Sequence, residues 1–190
     1  MEDCAERLSR EQVQPIGVEK STDCTPSFFS VLGKKIALLA ISDVGTAAIP
    51  QISAASDRVG LNAAIANARS HANFVVCLVH WGIENSEHIT DAQRELARWL
   101  IDHGVDLVVG SHPHCVQPLD FYHGCPIAYS LGNLVFDGAP TVESWNRGAL
   151  LEVGLSKDAE ASSASLIPIT LEDGFPRVDA PPKGKTLSSR

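Results

Sequence analysis

Several things that would assign this chain quickly are missing from it. No apolar run approaches the ~20 residues of a membrane-spanning helix. The first residues, MEDCAERLSREQ, are charged and lack the apolar core of a signal peptide. The sequence taken literally therefore predicts a soluble chain with no signal or anchor. Cysteine offers no framework. Cys4, Cys24, Cys77, Cys115 and Cys125 are odd in number and none has C-x-x-C spacing, which argues against a disulfide scaffold or a zinc ribbon. Cys77 lies inside an apolar run and reads as a small buried hydrophobe; Cys115 reads the same way, a ligand or nucleophile being the alternative. Basic residues are in deficit, 15 Lys and Arg against 23 Asp and Glu, for a net charge of −8 and a pI of 5.3. That balance argues against nucleic acid as a partner. There is no P-loop, no G-x-G-x-x-G, no nucleophile elbow and no internal repeat.

What is present is the composition of a folded domain: 190 residues, 44% hydrophobic, 20% charged, mean hydropathy +0.03. One domain of this size buries roughly two-thirds of its unfolded surface. Glu2 to Gln12 has a thin apolar content and forms a helix only against a partner surface. After a turn at Gly33, Ile36 to Ile41 is an apolar run of strand length, and residues 43 to 57 read as a loop. Asp57 caps a helix to about His71, with Leu61, Ile65 and Ala68 as its stripe. Phe74 to Val79 is a second strand. Thr90-Asp91-Ala92-Gln93 is a capping box opening a helix that Gly104 stops, and Val105 to Val109 is a third strand. The order β-α-β-α-β implies a parallel sheet with right-handed crossovers. Beyond it, Leu119 to Tyr122, a His123-Gly124 turn and Ile127 to Ser130 form a hairpin that Leu134 to Phe136 extends. Gly148 to Leu155 and Leu166 to Leu171 are further strands, with antiparallel pairing in this half. The domain is expected to end near residue 172, with 173–190 a loose Pro-, Lys- and Ser-bearing tail.

Two of the three buried runs end in histidine: Phe74 to Val79 in His80-Trp81-Gly82, and Leu107 to Val109 in Gly110-Ser111-His112-Pro113-His114. Ligand sites of parallel sheets lie beyond the carboxyl ends of the strands. If these strands are neighbours, ~4.8 Å apart, His80 and His112 stand side by side. Pro113 favours an extended His112, which puts His112 and His114 on one side of the chain. Imidazole suits zinc, manganese or iron, so His80, His112 and His114 are the candidate metal ligands. Glu84, four residues past His80, is the candidate acid, base or histidine-orienting carboxylate, a solvated loop charge being the alternative. Asn133 is expected to pin a loop and Trp81 to pack as a wall. Arg147 is a surface residue or an anion contact, and His71, His88, His103 and His123 are surface or capping histidines.

Taken in order, His80-Trp81-Gly82-x-Glu84, Gln93 to Gly104, Gly110-Ser111-His112-Pro113-His114-x-x-Gln117-Pro118 and Tyr129-Ser130-Leu131-Gly132-Asn133 resemble the CapA-like bacterial capsule synthesis family. These are the poly-γ-glutamate (PGA) capsule proteins, a branch of the calcineurin-like metallophosphoesterase superfamily. The likeness runs from about Leu32 to about Leu155. It implies a layered α/β sandwich with two divalent metal ions (Mn, Fe or Zn) at the strand ends. By that resemblance His80 matches a lone histidine ligand, and His112 and His114 match a Gly-x-His-x-His pair. Ser111 falls where family members vary, and Asn85 stands where an aromatic often follows the Glu. The Gly-Asp, Asn-x-Glu and Asn-Asn-His segments that carry the superfamily's first ligands precede the strand that Ile36 to Ile41 resembles, and none stands ahead of it here, so the chain resembles the C-terminal portion of such a protein with its N-terminal part missing. On that basis the chain alone is expected to be inactive, its exposed edges inviting a missing N-terminal half or self-association. The implied function is a metal-dependent phosphoesterase-like hydrolase in capsule or poly-γ-glutamate production. The alternatives are a non-catalytic assembly protein that binds an anionic polymer, or a mononuclear three-histidine zinc hydrolase. The family is often membrane-anchored and faces outward.

Overall fold

The apolar runs become adjacent parallel strands, and helices cover one face of them. The computed structural model describes residues 2–17, 24–45, 54–136 and 143–179. Its elements in order are α1 (Glu2–Arg10), β1 (Ser27–Val31), β2 (Lys34–Ser42), α2 (Arg58–His71), β3 (Phe74–His80), α3 (Asp91–Asp102) and β4 (Leu107–Ser111). They continue with β5 (Leu119–Tyr122), β6 (Cys125–Ala128), a short 3₁₀ turn (Glu143–Asn146), β7 (Arg147–Leu155), β8 (Ala161–Glu172) and β9 (Phe175–Val178). One sheet has six strands in the order β1-β2-β3-β4-β6-β5, the other three in the order β7-β8-β9. Strands β2, β3, β4 and β6 run parallel, while β1 and β5 are antiparallel edges. The fold is the layered α/β class expected from the sequence.

The register shows why the central strands are continuously apolar. Leu39, Cys77 and Val108 lie in one row across β2, β3 and β4, all fully buried. That row faces Leu61, Ile65 and Ala68 of α2 and Leu96, Ala97 and Leu100 of α3. The alternate residues Phe74, Val76 and Leu107 face the other way, toward Leu151, Val153 and Leu155 of β7. A strand covered on both faces has no solvent side, so its period-2 pattern disappears. Both helix starts form as the sequence predicts. Asp57 accepts from the Gly60 N–H at 3.0 Å. Thr90 Oγ1 accepts from the Gln93 N–H at 3.1 Å while Gln93 Oε1 accepts from the Thr90 N–H at 3.0 Å. Gly104, at φ +108°, follows the end of α3.

Four expectations need correction. Strand β1 was not foreseen; it pairs with β2 across the two-residue Leu32-Gly33 loop. The inner hairpin strand is Cys125–Ala128, two residues earlier than expected, and it joins β4 in parallel, so the hairpin enlarges the main sheet. Leu134 to Phe136 bends rather than forming a strand. The loose tail expected from Asp173 is wrong for its first residues, because β9 pairs with β8 across Asp173-Gly174. The loops Leu32-Gly33, His123-Gly124 and Asp173-Gly174 all have positive φ at both positions, the backbone of type I′ hairpin turns. Residues 180–190, the rest of the expected tail, lie outside the described residues. No helix among those described is long and apolar enough to cross a membrane.

Candidate metal centre

The site begins with pairing. Strands β3 and β4 are parallel neighbours with His80 opposite Ser111, so His80 ends one strand and His112 follows the other. The rings of His80 and His112 lie 4.6 Å apart, centroid to centroid, and those of His112 and His114 6.4 Å apart. His80 is exposed at the rim, and His112 and His114 are half-buried. The structure therefore brings the three predicted histidines together. Partial burial, then the neighbouring His112 and His114, push the His80 pKa down, so that ring favours its neutral form, able to donate a lone pair.

The backbone that achieves this is not the extended segment expected from Pro113. His112 has φ +98° and His114 φ +58°. Left-handed backbone costs a non-glycine residue on the order of 1–3 kcal/mol and concentrates at functional sites. Here it folds the chain back over β3, and a tertiary bond holds the fold: the Asn85 N–H donates to the Pro113 carbonyl at 2.8 Å. Asn85 itself has φ +61°.

A buried polar network fixes the loop between β3 and α3. Gln93 and Gln117 are 2% and 1% exposed. Gln93 Nε2 donates to Gln117 Oε1 at 3.0 Å, and Gln117 Nε2 donates to the carbonyls of Ser86 (2.8 Å) and His88 (3.2 Å). Buried amides so fully paired rigidify what they hold. Beneath the histidines, Trp81 is fully buried and its Nε1–H donates to the Tyr129 carbonyl at 2.8 Å; it is the packing wall that was expected. Gly110 makes room for that bond, since a Cβ there would lie 1.9 Å from the Tyr129 oxygen and 2.2 Å from Trp81 Nε1.

Glu84 sits in this loop but is exposed, and among the described residues no hydrogen bond or ion pair joins it to the imidazoles. Asn133 does more than pin a loop. Its Oδ1 meets His114 Nδ1 at 2.8 Å and its Nδ2 donates to the Trp145 carbonyl at 3.0 Å. Trp145 (5.0 Å) and Phe136 (5.4 Å) flank the His114 ring, and Trp145 Nε1 donates to Asn85 Oδ1. Ser111 Oγ lies 3.4 Å from His80 Nδ1, a weak contact. Phe136, Trp145 and Ser111 were not foreseen as parts of the site. Trp145 is distant in sequence and stands in no motif, so nothing local marks it. Gln117 lay in a segment whose likeness was recognised without its role.

The donor chemistry fits a metal in part. The three imidazoles cluster, and the Nδ1 of His114 is engaged by the protein. Yet among the described residues no group of three His, Cys, Asp or Glu side chains is arranged to hold one ion. Among the described residues the three rings do not form a closed three-histidine cage.

Residues 1–138 match the family described as bacterial capsule synthesis protein PGA_cap. The chain belongs to this family. Within it, the chain is 38% identical over 129 residues to the PGA biosynthesis protein CapA of Bacillus subtilis (strain 168), a match covering 66% of this chain and 32% of that protein. It is 35% identical over 112 residues to the capsule biosynthesis protein CapA of Bacillus anthracis, covering 57% of this chain and 26% of the other. The matched stretches thus span about a third or less of these curated PGA_cap relatives. Among solved structures, a hypothetical protein from Thermus thermophilus superposes with a TM-score of 0.59 at 13% identity, covering 88% of this chain and 71% of that one. That likeness concerns the fold.

Proposed function

We propose that this PGA_cap chain serves capsule or poly-γ-glutamate production, and that His80, His112 and His114 are the imidazole side of a metallophosphoesterase-like centre. The observation that carries the reading is the convergence of three imidazoles at the carboxyl ends of two adjacent parallel strands, on backbone strained to reach there. A bound divalent ion supplies a water of lowered pKa and a positive charge toward a phosphoryl or carbonyl oxygen. The chain's own residues do the rest. The histidines donate neutral nitrogen, and the Gln93–Gln117 pair holds the rim loop that carries Glu84. Glu84, exposed on that loop, is the proposed acid or base toward an entering substrate or water. Carboxylate donors that complete the centre come from outside the cluster seen here.

Calorimetric titration with zinc and with manganese tests this. Binding that weakens at least about tenfold in His112→Ala is expected; absence of binding by either ion sinks the reading. A second reading is favoured by the absence, among the described residues, of a closed donor set: a non-catalytic assembly protein that binds an anionic polymer on an inherited site. Poly-γ-glutamate binding that survives both chelation and His112→Ala would select it.

A further inference from the structure

Asn133 is 7% exposed and makes two side-chain bonds of opposite chemical sense. Nδ2 donates to the Trp145 carbonyl at 3.0 Å, and Oδ1 faces His114 Nδ1 at 2.8 Å. A backbone carbonyl has no proton to give, so the amide's nitrogen must lie toward Trp145; the reversed amide would set oxygen against oxygen. Oδ1, which only accepts, is then left facing His114. Nδ1 must carry the proton, and in a neutral imidazole the lone pair therefore sits on Nε2. The ring is also flanked by Trp145, tilted 30° at 5.0 Å, and by the edge of Phe136 at 5.4 Å, so it is not free to turn away.

We infer that Asn133 is a positioning residue that fixes both the tautomer and the plane of His114, with β7 as its anchor. The anchor is visible in the backbone. The Asn133 N–H donates to the Arg147 carbonyl at 3.3 Å. A Cβ on Gly148 would lie 2.0 Å from the Asn133 carbonyl oxygen, so Gly148 is what lets β7 come this close. The second sheet thus does more than cover the first: it holds the amide that aims one of the three histidines. The consequence for metal rests on the reading proposed above; the tautomer does not.

The test is a long-range ¹H–¹⁵N spectrum of the histidine rings in the ¹⁵N-labelled full chain, about two pH units above the ordinary histidine pKa of ~6.5. His114 is expected to show a protonated Nδ1 and a pyridine-type Nε2. Asn133→Ala is expected to mix the tautomers, and Asn133→Asp, which keeps the acceptor toward His114 but loses the donor to the Trp145 carbonyl, to retain Nδ1–H at a cost in stability. Zinc affinity should fall about 10- to 100-fold in Asn133→Ala. A wild-type His114 protonated on Nε2 overturns the inference whatever the variants do, as does an unchanged tautomer in folded Asn133→Ala. If Asn133→Ala does not fold, the wild-type spectrum decides. If the tautomers behave as stated but no zinc binds, the positioning role stands and the metal reading fails.

Discussion

The two faces of the six-stranded sheet are finished differently. On the helix side Leu39, Val75, Cys77, Val79 and Val108 have at most 1% exposure. On the other side Ile36, Leu38, Leu78 and Val109 are only half-buried, and an apolar cleft of about 470 Å³ lies between β7 and a patch that includes Ile36 and Val109. Leu134 and Leu150 line that cleft and remain 52% and 38% exposed. Two helices close one face; a three-stranded sheet that leans against the other does not. The histidines lie at the carboxyl edge of this sheet, where the loop geometry is strained. Stability is therefore concentrated on the helix face, and the proposed site lies at the strand ends.

Neighbouring residues on one strand test that contrast most strongly. Leu39→Ala, on the closed face, should cost about 4 kcal/mol of unfolding free energy through lost burial and a cavity. Leu38→Ala, on the open face, should cost about 1 kcal/mol, because less surface is uncovered. Denaturant melts of the two variants measure this; equal losses would mean the faces are equivalent. Next comes Gly110→Ala, which forces a methyl against the Tyr129 carbonyl and Trp81 Nε1. A loss of about 3 kcal/mol is expected from overpacking and a broken buried hydrogen bond, and an unchanged melt would contradict the close approach.

His112→Gly sharpens the comparison from the functional side. Glycine accepts φ +98° without steric penalty. The variant should gain about 1 kcal/mol in stability while losing zinc affinity. A loss of stability would show that the His112 ring, and not its backbone, is what the fold needs.

The smallest effect concerns Asp106, which accepts from the Val75 N–H at 2.8 Å and pairs with Arg69 of α2. Burial, the largest influence, holds its carboxyl above the ordinary 3.8, although the Val75 bond and Arg69 pull it down. A folded pKa above the unfolded one means that the group's stabilisation is complete below pH 3.8 and is lost as pH rises through the folded value. Asp106→Asn should flatten the pH dependence of the melting midpoint just above 3.8. A slope that persists would assign that titration to another group.

The central strands and both helix starts were legible because their signals are local: Asp57, Thr90 and Gln93 act within one turn, and Phe74 to Val79 is apolar throughout. Strands β1 and β9 were not. Both are short edges of poor alternation, and for β9 the Asp-Gly turn was outweighed by the proline and lysine that follow. The three histidines were legible from their place at strand ends. Their backbone was not, because the bond from Asn85 to Pro113 overrides the local preference of a residue before proline. The partnership of Asn133, Trp145 and His114 joins two loops and the 3₁₀ turn, and no period or spacing carries it.

The central claim, that three of the seven histidines form the metal-facing cluster, is tested most directly by titrating zinc into the labelled chain while following every imidazole. The account predicts that His80, His112 and His114 respond together, at one concentration range, while His71, His88, His103 and His123 keep their signals. A response led by the surface histidines, or none in the three, would contradict it.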